Sequence, residues 1–333
     1  MVPEQAAAPL QVGIVGTGYA AKLRAQALQA DARAGLIAVA GRSIARTQEF
    51  CQPFGATAIA SWEALIQDPA LDLVVVATVN RDHGAIVRAA LTAGKHVVVE
   101  YPLALDLTEA EELLALARAQ NRLLHVEHIE LLGGLHQALK SNLPQIGQVF
   151  YARYATIAPQ RPAPQKWTYH RELFGFPLIG ALSRLHRLLD LFGPVVAVSC
   201  QARFWDASLA DCSTPYYAAC LCKAQLRFQT GLLADVVYGK GETLWQAERS
   251  FQVQGDRGAL LFEGEEGRLV SPEETQPIPV GSRRGLFAKD TEMVLDHLTT
   301  GAPLYVTAAA SVASLRVADA ARRSAETQQT IAL

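Results

Sequence analysis

The stretch Gln11-Val-Gly-Ile-Val-Gly-Thr-Gly-Tyr-Ala-Ala21 constrains the fold more than any other part of the chain. Val12 to Val15 is an apolar run of strand length, and Ala20 to Ala30 is rich in helix formers; between them Gly16 and Gly18 make a G-x-G-x-x-A turn of the dinucleotide-binding type. Gly16 permits the tight turn, Gly18 lets the backbone approach a pyrophosphate, and Ala21 keeps the helix close to the strand. Free N–H groups at the helix start then face the anion. Gly16, Thr17, Gly18, Tyr19 and Ala20 are therefore expected to bind a cofactor.

A lone G-x-G-x-x-A is a weak signal, but strand–helix alternation follows it. Leu36–Ala40, Leu71–Ala77, His96–Glu100 and Leu123–Val126 read as buried strands of a parallel sheet. Ser61 looks like a helix cap before Trp62, Asp68-Pro69 is a break, and Ala85–Ala93 is a helix stopped by Gly94. Thr108-x-x-Glu111 reads as a capping box opening a helix that runs to about Gln120. At 333 residues the chain exceeds what one core usually organises. The expected division is a doubly wound Rossmann domain over 1–126 and a substrate domain over 127–333.

Thirty Lys and Arg against 32 Asp and Glu leave a net charge near zero, and no charge run suggests a nucleic-acid face or a membrane-binding helix. Met1–Leu10 lacks a basic region followed by a long apolar segment, so a cytoplasmic protein without a spanning helix is expected. The five cysteines, Cys51, Cys200, Cys212, Cys220 and Cys222, have no C-x-x-C spacing and read as reduced thiols. His125 and His128 lie close to Glu127 and Glu130, but their spacing does not fit one strand face. They are expected to line a cleft by hydrogen bonding, and no metal site is expected.

The second strand ends in Gly41-Arg42-Ser43, where NAD-specific proteins of this architecture carry a carboxylate for the ribose 2′-hydroxyl. Arg42 and Ser43 instead suit a 2′-phosphate, which favours NADPH. Thr78, Asn80 and His83, on the loop after the third strand, and Glu100, ending the fourth, are further expected cofactor contacts, because ligands bind at the carboxyl ends of such strands.

Downstream, Val149–Ile157 alternates as a half-buried strand, and Pro159–Pro164 is a proline-rich connection. Gln165-Lys-Trp-Thr-Tyr-His-Arg171 is aromatic and basic; its rings either meet a ligand or plug a seam between domains. The segment Ile179–Phe192 reads as a helix whose Leu182, Leu185, Leu189 and Phe192 face the core, with Arg184 and Arg187 one turn apart on another face. Six strands follow, at 195–204, 218–228, 232–238, 250–254, 259–262 and 268–270, then closing helices Arg284–Thr300 and Thr307–Thr327, the latter capped by Thr307. This run predicts an α+β domain with one large, mostly antiparallel open sheet, one face covering helices and the other free for a homo-oligomer.

Val12-Gly-Ile-Val-Gly-Thr-Gly-Tyr-Ala20, Ala77-Thr-Val-Asn80 with His83, and Ala93-Gly-Lys-His-Val-Val-Val-Glu-Tyr-Pro102 together resemble the glucose–fructose oxidoreductase and inositol dehydrogenase family. The resemblance covers nearly the whole chain and implies an N-terminal Rossmann domain with a C-terminal open sheet. Two departures stand out. Sugar-oxidising members carry Glu-Lys-Pro, the Lys being a catalytic acid/base, where this chain has Glu100-Tyr-Pro102. In Gly180–Asp190, which resembles the family's substrate-site helix D-x-G-x-H-x-x-D, anchoring on Asp190 puts Ser183 at the first Asp and Arg187 at the His, while a one-residue shift makes His186 the equivalent.

Those departures, with His125-Val-Glu-His-Ile-Glu-Leu-Leu132, Phe150-Tyr-Ala-Arg-Tyr154, Trp167-Thr-Tyr-His170, Phe204-Trp-Asp206 and Tyr238-Gly-Lys-Gly-Glu242, are similar to the branch of the family that reduces linear tetrapyrroles with NADPH. The resemblance implies hydride transfer to a central methine bridge. Arg184 and Arg187 would be cationic donors to the tetrapyrrole. Tyr101 would orient it, since a phenol with pKa near ~10 is a poor base at neutral pH. Glu127, His128, Trp167, Tyr169 and His170 would complete the substrate site. The alternatives are an NADP-dependent sugar or cyclitol dehydrogenase and a non-catalytic dinucleotide-binding regulator.

Overall fold

Strand β1 (Leu10–Val15) feeds helix α1 (Tyr19–Gln29) through the fingerprint turn, in a computed structural model that describes residues 8–206 and 215–333. Met1–Ala7 and Cys212 lie outside the described residues. The chain forms two compact units. One takes in the residues up to Ala104, Thr108–Ile129 and Gly285–Ala309; the other takes in Leu105–Leu107, Glu130–Arg284 and Ala310–Leu333.

In the first unit the alternation continues through β2 (Ala34–Ala40), α2 (Ile44–Cys51), β3 (Thr57–Ile59), α3 (Trp62–Ile66), β4 (Leu73–Val76), α4 (His83–Thr92), β5 (His96–Val99), α5 (Leu107–Ala119) and β6 (Leu124–Val126). The six strands lie parallel in the order β3-β2-β1-β4-β5-β6. Leu73-Val-Val-Val76 is buried along its whole length, as a central parallel strand covered on both faces must be. Ser61 caps α3, its Oγ accepting the Ala64 N–H at 3.2 Å. Two local expectations are corrected. Helix α5 starts at Leu107, so Thr108 is its second residue and not its cap. His83 opens α4 instead of lying in the loop before it.

The helix Leu286–Thr300 also belongs to this unit. Its Val294 and Leu295 pack with Val12, Ile14, Ala25 and Leu28, each buried Val, Ile or Leu side chain stabilising by ~1.5–3 kcal/mol relative to exposure. An apolar stripe says that a helix packs, not on which sheet. The pattern after residue 126 therefore carries no sign that 285–309 returns to the first core.

The second unit holds α6 (Gly134–Asn142), β7 (Val149–Pro159), α7 (Arg171–Phe174), α8 (Pro177–Gly180) and α9 (Ser183–Phe192). Then come β8 (Val195–Asp206), β9 (Tyr217–Phe228), β10 (Leu233–Gly241), β11 (Glu248–Gly255), β12 (Gly258–Glu263), β13 (Glu266–Val270) and β14 (Thr275–Pro279). After the first unit's α10 (Leu286–Thr300), α11 (Ala308–Thr327) and β15 (Ile331–Ala332) finish the chain. The nine-stranded sheet has the order β14-β13-β12-β11-β7-β10-β9-β8-β15. Among the described residues only β7 and β10 pair parallel in it, which makes it the mostly antiparallel sheet expected.

The single helix expected over 179–192 is broken in two. A side chain at Gly180 would collide with the Phe174 ring, and the chain leaves helical geometry at Ala181 before restarting at Ser183. The buried leucines are consequently Leu182, Leu185 and Leu188, with Leu189 and Phe192 half-buried. Strand β14 escaped the pattern because Pro277 and Pro279 interrupt it; as an edge strand with one neighbour it tolerates both. Cys51, Cys200, Cys220 and Cys222 are free thiols, all buried.

Candidate functional site

Strand order reverses between β1 and β4, and in sheets of this kind ligands bind outside the carboxyl ends at that reversal. The candidate residues of the first unit gather along that edge: Gly16–Ala20 after β1, Arg42 and Ser43 after β2, Thr78 and Asn80 after β4, Glu100 and Tyr101 after β5, Glu127 and His128 after β6. Gly16 has φ +123°, and a Cβ there would run into the Ala77 carbonyl oxygen. Gly18 is different, because a Cβ on it would meet no protein atom within 4 Å. No side chain caps α1 and no carboxylate sits in its first turn, so its first N–H groups suit an anion. A dinucleotide pyrophosphate fits that cradle.

Arg42 and Ser43 are exposed. Ser43 precedes α2 and accepts the Thr47 N–H through its carbonyl, while its hydroxyl makes no capping bond. Tyr19 is exposed, with its ring edge-to-face on Phe287 at 6.4 Å. Asn80 and His83 are buried. The His83 Nδ1 lies 2.8 Å from the Pro102 carbonyl and Nε2 3.4 Å from that of Thr78, so the ring ties the loops after β4 and β5 together. Burial lowers its pKa and keeps it neutral.

Behind this edge lies a buried charge network. Arg24, 1% exposed on α1, pairs with Asp290, donates to Thr291 Oγ1 at 3.1 Å and reaches Glu100 at 3.4 Å. Asp290 also binds His125 Nε2 at 2.8 Å and accepts the Tyr305 hydroxyl at 2.6 Å. Burial pushes the Asp290 carboxyl up, but Arg24 and His125 outweigh it and hold the group well below the usual carboxylate range. Glu100 shifts the opposite way, because there burial, which pushes the carboxyl up, outweighs the pull of Arg24 and of a hydrogen bond with Glu127. The Tyr305 oxygen accepts the His128 N–H at 3.1 Å, and the His128 ring stacks on Tyr101, centroids 5.2 Å apart and 5° from parallel. Glu127 accepts the Ile129 N–H at 2.8 Å.

Sequence reasoning missed Arg24, Asp290 and Tyr305. Arg24 had a signal: it shares the buried stripe of Ala21, Ala25 and Leu28, where a lone charge demands a partner. A cavity of about 610 Å³ in the same unit, lined by His96, Arg118, Arg122 and His297, opens where β5 and β6 begin and so lies at the other edge of the sheet. None of the candidate residues lines it. Among the described residues no group of three or more His, Cys, Asp and Glu side chains could hold a metal ion.

In the second unit Arg187 is 4% exposed, not on a solvated face. Its Nη2 donates to the Glu130 carbonyl at 3.3 Å, whereas Nε and Nη1 have no hydrogen-bond partner, and the guanidinium lies 5.6 Å over the Tyr154 ring. Arg184 is half-buried, 5.2 Å over the Tyr238 ring and 3.1 Å from Ser183 Oγ. Asp190 is taken up by His136 at 2.8 Å and Lys140 at 3.1 Å; the His136 bond is the main reason its pKa falls to about 2. Trp167 is half-buried, 6.0 Å from the Phe174 ring. Tyr169 is buried with its hydroxyl 3.2 Å from Gln160 Oε1, and His170 Nδ1 caps α7 by accepting the Glu172 and Leu173 N–H groups.

His186 points elsewhere. Its Nδ1–H donates at 2.7 Å to Ser314 Oγ, whose own proton goes to the Ala310 carbonyl. Burial lowers its pKa from 6.5 to about 4. The unfolded chain therefore binds the extra proton first, and stability is expected to fall as pH drops from about 6.5 to about 4, by up to about 3 kcal/mol from this residue. Stability from urea melts should fall more steeply with pH across that range in the wild type than in His186→Gln; identical pH slopes would refute the assignment.

Sequence models of an oxidoreductase family match residues 10–128, as the NAD-binding Rossmann fold, and 140–333, as the C-terminal alpha/beta domain. The chain superposes on the crystal structure of biliverdin reductase from Synechocystis sp. PCC 6803, in complex with biliverdin and NADP+, with a TM-score of 0.92 and 55% identity, over 96% of this chain and 99% of that one. Mouse biliverdin reductase A is 35% identical over 139 residues, 42% of this chain; the match spans less than half of the mouse enzyme, 44% of its length. The Escherichia coli oxidoreductase YdgJ, uncharacterized, is 35% identical over 79% of this chain and 75% of its own. The chain belongs to the glucose–fructose oxidoreductase and inositol dehydrogenase family of NAD-binding oxidoreductases.

Proposed function

We propose that this protein reduces biliverdin to bilirubin at the expense of NADPH. The observation that carries the reading is the 55% identity, over 96% of the chain, to the cyanobacterial biliverdin reductase that binds biliverdin and NADP+. Tyr101, standing where sugar-oxidising relatives have a catalytic Lys, agrees with it, because no alcohol is deprotonated in this reaction.

NADPH, when bound, supplies the hydride for the central methine carbon; a proton goes to a pyrrole nitrogen, giving bilirubin and NADP+. Gly16–Ala20 would hold the pyrophosphate on the start of α1, and Arg42 with Ser43 the 2′-phosphate. Arg187 would turn its two uncommitted nitrogens to a propionate or lactam oxygen, and Arg184 would add a second cation. A guanidinium does not give up its proton at neutral pH, so water is the acid. Tyr101, braced on His128, would orient the bilin by ring contact and hydrogen bonding, with Glu127 as a further contact from the first unit; from the second unit Trp167, Tyr169 and His170 are the proposed bilin contacts. A cytoplasmic location and self-association through the large sheet go with this reading.

Purified protein given NADPH and biliverdin should turn from green to yellow. No colour change, with turnover of a sugar or cyclitol instead, would favour a dehydrogenase; NADPH binding without any turnover would favour a regulator. Cofactor choice is a separate expectation: two charge-assisted contacts to the 2′-phosphate, each worth ~1.5–3 kcal/mol, should make NADPH bind better than NADH. Arg42→Ala should weaken NADPH by roughly ten- to hundredfold and leave NADH unchanged. Equal wild-type affinities for the two cofactors would sink the assignment.

A further inference from the structure

Strand β10 alternates, and Ala234, Val236, Tyr238 and Lys240 all lie on its buried face. At Lys240 the pattern calls for an apolar side chain. Instead an ammonium sits there, 6% exposed, opposite Cys220 of β9. Four rings surround it, with centroids 3.6 Å away for Phe174, 4.9 Å for Tyr169, 5.5 Å for Tyr217 and 5.7 Å for Tyr238. Its hydrogen bond goes to the Thr168 carbonyl, which also accepts the Tyr217 hydroxyl at 2.9 Å. Close packing fixes the neighbours: a side chain at Gly241 would collide with the backbone of Ala218 and Ala219.

A buried cation without a carboxylate lowers stability, and an apolar residue of the same length would fill the space at no such cost. Cores keep such groups where function requires them. We infer that Lys240 is a positioning residue for the tetrapyrrole: clamped among four rings, it holds the Thr168 carbonyl and so sets Trp167, Tyr169 and His170 in the geometry that receives the ligand. The inference rests on the biliverdin reading for its substrate, but the clamp itself can be measured without substrate.

The hold of the four rings on Lys240 requires the charged amine. Burial, with the Arg184 guanidinium adding, lowers the Lys240 pKa to about 8. The other groups facing it are Tyr169, Tyr217 and Cys220, with Tyr238 on its own strand, and burial raises all four above their ordinary values. Arg184 and, beside Cys220, Arg171 stay charged. Between pH 7 and 9 Lys240 is therefore the member of this cluster that changes charge.

Hydrogen exchange in the bilin-free, full-length protein at pH 7 should be about tenfold faster across residues 165–175 in Lys240→Met than in the wild type. Its KM for biliverdin should rise about tenfold, with the KM for NADPH unchanged and the melting temperature no lower. In the wild type the KM for biliverdin should climb between pH 7 and 9, and Lys240→Met should lack that limb. Unaltered exchange in a folded Lys240→Met overturns the inference, as does a flat wild-type profile, which needs no variant at all. If the wild type reduces no biliverdin, the substrate reading falls by itself, and the exchange comparison still decides the clamp.

Discussion

Asp290→Ala should cost the first unit about 3–5 kcal/mol of stability, the scale for removing one partner of a buried ion pair. Asp290 is fully buried, and without it Arg24 keeps only the longer contact to Glu100, while His125 and the Tyr305 hydroxyl lose their acceptor. The loss should appear in urea unfolding followed at neutral pH. Arg24→Met combined with Asp290→Leu should recover much of it, because replacing the whole pair with apolar groups removes the stranded charge together with its desolvation cost. The sign with pH follows from the depressed carboxyl: its contribution is fully present above the unfolded value near ~4 and is lost as pH falls toward the lower folded value. Asp290→Asn should remove that acid limb. A drop below about 1 kcal/mol in Asp290→Ala would mean that Arg24 finds another acceptor.

The first unit was legible in the sequence because its signals are local. Gly16 and Gly18 announce the turn, Ser61 the start of α3, and Leu73–Val76 a strand covered on both faces. Where the signal depended on a distant partner, reading failed. Nothing near Asp290 says that its counter-charge is Arg24, 266 residues away. The Phe174 ring leaves no room for a side chain at Gly180, and the helix breaks at Ala181 just after that glycine; a continuous apolar period hid the break. Thr108 misled for the reverse reason, since a correct capping-box spacing sits one turn position inside a helix that starts at Leu107. Among the site residues, type and spacing singled out the arginines of α9 but could not say that Arg187 is buried; the unpaired Nε and Nη1 are properties of the packed unit.

Those two nitrogens carry the second large expected effect. An exposed arginine pair contributes little, whereas a buried guanidinium with open donors is poised to gain the full strength of charge-assisted bonds, ~1.5–3 kcal/mol each, when an anionic ligand arrives. Arg187→Ala should therefore lower kcat/KM for biliverdin by about a hundredfold or more, with the dissociation constant for NADPH nearly unchanged, since the cofactor cradle lies in the other unit's residues. Arg187→Lys should restore charge without the planar fork and recover part of the loss. Arg184→Ala should cost less, because its guanidinium is half-buried and already engages Tyr238 and Ser183. Steady-state kinetics on the three variants, with thermal melts alongside, separate function from scaffold. Wild-type kinetics in Arg187→Ala would remove the residue from the site, and a fall confined to the melting temperature would make its stacking on Tyr154 its whole purpose.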